Sequence, residues 1–216
     1  GALSTGQFGA LSTQDIAAIE TADIVGLKTS IIAALKTAQL AALTTDQLSN
    51  LTTAQVASIT TANVAALTTD QVVALSSNQF GALSSAQVSA FSTNDIAAIE
   101  TADIGALKSA VIAGLSSNQT KALTTDQIVA LSSSQIAALS SSQVAGLSTA
   151  AIAAIETADL GALKTAAIGA LSTAQTAALT TDQIGALSTA QVAAMTTANL
   201  ASGLSTDQIV ALSSNQ

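Results

Sequence analysis

The sequence predicts an all-α solenoid, a superhelix of very short capped helices with one helix in each eight residues. Three observations carry this. One octapeptide, x-L-[ST]-[ST]-x-Q-[IV]-x, runs the whole length, as in L-T-T-D-Q-V-V-A-L from Leu67 to Leu75. Its spacing suits neither uninterrupted regular structure. On an unbroken α-helix each Leu would drift about 80° from the last, and on a flat strand Leu67, Val72 and Leu75 would alternate between faces. The chain must therefore bend once per octad, and every octad carries a helix start signal just after its large apolar residue.

That signal is a capping box, in which the N-cap hydroxyl meets the amide three residues on and the Gln there returns to the N-cap N–H. It reads from Ser4 with Gln7, through Thr44 with Gln47, Thr68 with Gln71 and Thr124 with Gln127, to Ser188 with Gln191. In the same helical turn Val72 and Leu75 share one face. Of 27 octads, 16 carry Gln at the third helical position, five Asp and two Asn. Where Lys28, Lys108 and Lys164 replace the hydroxyl, the reciprocal position holds Ile31, Val111 and Ala167, so the two halves of the box are lost together. Ala151 after Ser148 departs without that reason. The residue after the N-cap is Ser or Thr in every octad, from Thr5 to Ser214. It is expected to cap the helix where its neighbour cannot, or to bond a carbonyl at the bend.

Residues before the Leu row, such as Ala66, Ala74, Gly114 and Gly146, are small, which permits close packing of successive segments. No octad buries enough to fold alone, so the units must stack. Three copied blocks of the type I-A-A-I-E-T-A-D place Glu20, Glu100 and Glu156 one octad before Lys28, Lys108 and Lys164, which suggests that consecutive octads are spatial neighbours. Residues 1–216 read as a single continuous array with a phase slip at 201–203, where one extra residue is inserted. The Gly1-Ala2 start and the Asn215-Gln216 end are ordinary octad pieces, which suggests open ends or a fragment. A β-solenoid is the alternative architecture, favoured by Ser, Thr, Ile and Val. It is opposed by the abundance of Ala, Gln and Leu and by the scarcity of Gly, Asn and Pro for sharp turns.

Composition narrows function by exclusion. The chain has no His, Cys, Trp, Tyr or Arg, and a net charge of −8. That balance opposes binding to phosphate backbones, and one per cent aromatics offers no stacking platform for bases. No apolar run reaches the length of about 20 residues needed to span a bilayer. The carboxylates of Asp15, Glu20 and Asp23, of Asp95, Glu100 and Asp103, and of Glu156 and Asp159 lie at helix starts, where capping explains them. An enzyme is not expected, and no catalytic, cofactor or metal residue is assigned.

The string L-T-T-D-Q-V-V-A-L resembles the first short helix in the repeats of plant-pathogen transcription-activator-like effectors, which supports local helix. All 27 octads resemble the A-L-[ST]-[ST]-x-Q-[IV]-x arrays of large bacterial secreted or surface proteins described as haemolysin-like or adhesin-like. That resemblance implies a spacer role and an extracellular or cell-surface location. The expected function is structural: a repeat stalk, or a filament subunit whose partner is itself, end to end or laterally. The alternative is a binding module whose regular hydroxyls meet ice or glycan.

Overall fold

A computed structural model describes residues 3–216; the Gly1-Ala2 start lies outside them. Among the described residues the secondary structure is entirely helical, so the strand alternative is excluded. There are 25 α-helices of four to six residues, from α1 (Thr5–Phe8) to α25 (Thr206–Ala211), and one π-helix. The chain forms two compact units, one ending at Leu107 and the other running from Lys108 to Gln216. Each is an α-solenoid.

Helix α9 (Thr69–Val73) shows how an octad makes its turn. The Thr68 hydroxyl accepts the Gln71 N–H at 3.2 Å, and the Gln71 Oε1 accepts the Thr68 N–H at 2.9 Å. The helix closes when the Leu75 N–H donates to the Val72 carbonyl at 3.1 Å. The corner that follows is made from consecutive extended residues, such as Leu83 at φ −66°, ψ 143° and Ser84 at φ −83°, ψ 160°. Among the described residues no φ is positive. The bend therefore needs no left-handed glycine, which explains an array of corners in a Gly-poor and Pro-free chain.

Helices α4 (Thr29–Ala33), α14 (Ser109–Ala113) and α21 (Thr165–Gly169) start at lysines and have no side-chain cap. The neighbouring hydroxyl does not substitute, contrary to the expectation from sequence. Instead the amides of Ile31, Val111 and Ala167 donate to the carbonyls of Lys28, Lys108 and Lys164 at 2.9, 2.8 and 2.8 Å. A 3₁₀-type first turn satisfies the orphan donor.

Beyond the first winding, most octads bury three rows. The row of Ile32, Leu40, Leu48 and Val56 is fully enclosed, and the row of Leu35, Leu43, Leu51 and Ile59 is buried beside it. The Gln row, with Gln39, Gln47 and Gln55, forms the third. Packing joins helices three octads apart. In the first unit α10 (Ser77–Ala82) packs on α7 (Thr53–Ser58) and α13 (Thr101–Ala106); in the second, α17 (Ser133–Ala138) packs on α14 and α20 (Thr157–Ala162). Consecutive octads thus follow one another along a winding and do not stack. This corrects the adjacency drawn from Glu20 and Lys28, which are both exposed and form no ion pair among the described residues.

Candidate functional site

The chemistry that recurs is the contact between windings. Interior Gln side chains such as Gln47 work at both ends of the amide. The Gln47 Oε1 caps its own helix, accepting the Thr44 N–H at 2.9 Å. Its Nε2 donates to the carbonyls of Ile16, Ala17 and Ile19 at 3.1, 3.2 and 2.7 Å, four octads back. Those carbonyls lie at the end of α2 (Thr13–Ala17), where an α-helix leaves its acceptors unpaired. One side chain therefore closes the start of one helix and the end of another. Gln55, Gln79, Gln87, Gln175 and Gln183 repeat the arrangement at the same sequence distances of 31, 30 and 28 residues. With packing at three octads and hydrogen bonds at four, one winding takes between three and four octads.

Two acidic octads use a different link, because a carboxylate has no N–H to donate. The Thr69 hydroxyl donates to Asp95 Oδ1 at 2.8 Å and the Ser77 hydroxyl to Asp103 Oδ1 at 2.5 Å, each across 26 residues. Asn63 does both, accepting from the Thr37 hydroxyl at 3.0 Å and donating to the Leu35 carbonyl at 2.8 Å. At these positions the residue after the N-cap serves the contact between windings, which is a role the sequence reading did not assign to it. The donor role of Gln was also missed, although a signal existed. Asp or Glu would cap a helix start as well, so the surplus of Gln already asked for an N–H donor.

The phase slip is taken up by the π-helix Asn199–Gly203. Beyond it, Gln208 donates to Thr176, Ala177 and Leu179 across 32, 31 and 29 residues, each one longer than elsewhere. Gln216 repeats that shifted register onto Ile184, Gly185 and Leu187. The wider helical loop absorbs the insertion and the stacking contacts continue. Gly203 lies against Thr176, whose buried hydroxyl has no hydrogen-bond partner.

Asp15 is the carboxylate held below its ordinary pKa, first by the Ser12 hydroxyl at 2.7 Å and then by the Ser12 N–H at 2.9 Å. That is the chemistry of a cap. Among the described residues there is no enclosed pocket, and no group of three His, Cys, Asp or Glu that could hold a metal. No described helix is long and apolar enough to cross a membrane.

The repeat model described as the ALTTAQ repeat matches residues 16–53, 48–77, 56–93, 96–133, 152–189 and 184–214. No curated protein matches the chain.

Proposed function

This chain belongs to the ALTTAQ repeat family, and we propose that it works as a structural spacer, a stalk whose length is set by the number of octads. The supporting observation is the Gln ladder. Recurring Gln side chains bind the chain to itself, winding on winding, as Gln47, Gln79 and Gln183 do. Because the same amide-to-carbonyl contact recurs from winding to winding, end-to-end or lateral assembly of copies into a filament extends the same reading. A cell-surface or extracellular address follows from the likeness to arrays of bacterial secreted and surface proteins. Against the ice- or glycan-binding alternative, a winding of between three and four octads distributes the hydroxyls after the N-caps around each unit rather than on one flat face.

Small-angle scattering of the chain and of a variant lacking the four octads 36–67 tests the spacer. The longest dimension should fall by roughly the 8–10 Å between packed helices, with helicity per residue unchanged by circular dichroism. An unaltered dimension, or collapse of the helical signal, would sink the idea. Concentration-dependent growth in light scattering would identify the filament form. Ice shaping or glycan retention that disappears when exposed Thr are changed to Lys would transfer the reading to a binding module.

A further inference from the structure

Between Gln119 and Gln191, within the second unit, the Gln ladder is interrupted for three octads in succession. Below the gap, Gln143 donates to Ile112 and Leu115. Above it, Gln175, Gln183 and Gln191 donate to the windings beneath them. Between them the same helical position is held by Ala151, Asp159 and Ala167, all buried. An Ala methyl or a carboxylate has no N–H to give. In the register of 28 residues, the carbonyls left without a Gln are those of Leu123, Leu131 and Leu139. Three octads are nearly one whole winding, so the gap is a belt around the solenoid and not a single missing bond. The helices across it, α16 (Thr125–Val129) with α19 (Thr149–Ala154), α17 with α20, and α18 (Ser141–Gly146) with α21, still pack through their aliphatic rows.

We propose that the belt 148–171 is a built-in parting plane, a conformational device that lets this unit open locally between two more cohesive stacks while each stack stays folded. In a nearest-neighbour array a weak interface sets the boundary of a cooperative unit. The inference concerns the order of opening and stands whether or not the chain is a spacer.

Native-state hydrogen exchange of the full chain against denaturant tests it, read on peptides from 116–139 and 172–195. The two stacks should open at separate denaturant concentrations, with protection differing by about tenfold or more. The triple variant Ala151→Gln, Asp159→Gln, Ala167→Gln should merge them into one transition. Gln39 behind Lys36, with its Oε1 accepting the Lys36 N–H at 3.0 Å, shows that Gln is compatible with a lysine N-cap. If that variant does not fold, Gln175→Ala with Gln183→Ala and Gln191→Ala should add a second parting plane one winding on, so that residues 148–171 exchange separately from 172–195. A single transition in the unaltered chain overturns the proposal, as does an exchange pattern that is the same as the unaltered chain's in whichever variant folds.

Discussion

Residues 148–171 and 172–195 are two stretches of three octads, built alike and held differently. Both consist of one-turn helices, α19 to α21 in the first and α22 (Thr173–Ala178), α23 (Thr181–Ala186) and α24 (Thr189–Ala194) in the second. Both bury the same rows, with Ile152, Leu160 and Ile168 matching Thr176, Ile184 and Val192. Only the second carries the amides that reach the winding beneath. Helices form and stack in both, so the path of the backbone comes from the aliphatic rows and the extended corners. The Gln ladder adds cohesion to a shape it does not create.

Breaking the shared part should have the largest effect and should treat the two stretches equally. Ile152→Ala and Ile184→Ala each remove a fully buried side chain and should cost about 2–5 kcal/mol, measured by denaturant unfolding. A clear difference between them would mean that the belt is already loose in its aliphatic packing.

The next largest effect should separate the two stretches. Gln183→Ala removes the acceptor for the Thr180 N–H and the donor to Ile152, Ala153 and Ile155. At about 0.5–1.5 kcal/mol per net bond, the loss should reach about 2–4 kcal/mol. A loss close to zero would show that the ladder contributes register but no stability.

Backbone approach sharpens the comparison further. A Cβ on Gly169 would meet the Ala194 carbonyl oxygen at 2.8 Å, whereas on Gly185 it would meet Ala211 at an ordinary 3.5 Å. Gly169→Ala should therefore cost about 1–3 kcal/mol. Gly185→Ala should be neutral or gain up to about 1 kcal/mol from helix propensity. Equal melting temperatures for the two variants would contradict this close approach between α21 and α24.

The smallest expected effect separates acidic from amide caps. The Asp15 pKa is lowered in the folded chain from an ordinary 3.8, so the folded state binds that proton more weakly than the unfolded chain does. Its contribution is present above 3.8 and is lost as pH falls through the folded value. Carboxyl titration by nuclear magnetic resonance should show the Asp15 midpoint rising in Ser12→Ala, which removes the hydroxyl donor. Helix starts capped by Gln should show no such dependence, since an amide does not titrate there.

Much of the local structure could be read from single octads. Thr68 with Gln71 forms the expected box, and Val72 and Leu75 are buried as their shared face implies. Ser148 also caps Ala151 without help from a Gln, its hydroxyl accepting that N–H at 3.0 Å. Relations between octads were harder to read. Glu20 and Lys28 suggested stacking of neighbours because covariation at one-octad spacing looks the same whether the cause is contact or duplication. The link from Thr69 to Asp95 across 26 residues has no local pattern to reveal it.

From its own spacing the sequence determines the eight-residue unit, the helix in it, the cap that starts it and the rows it must bury, because these follow from bonds and faces within one turn of chain. Only the tertiary structure decided which octads meet. The length of a winding depends on how the extended corners add up over several repeats, and that sum places the Nε2 of Gln such as Gln47 and Gln183 against helix-end carbonyls that are remote in sequence.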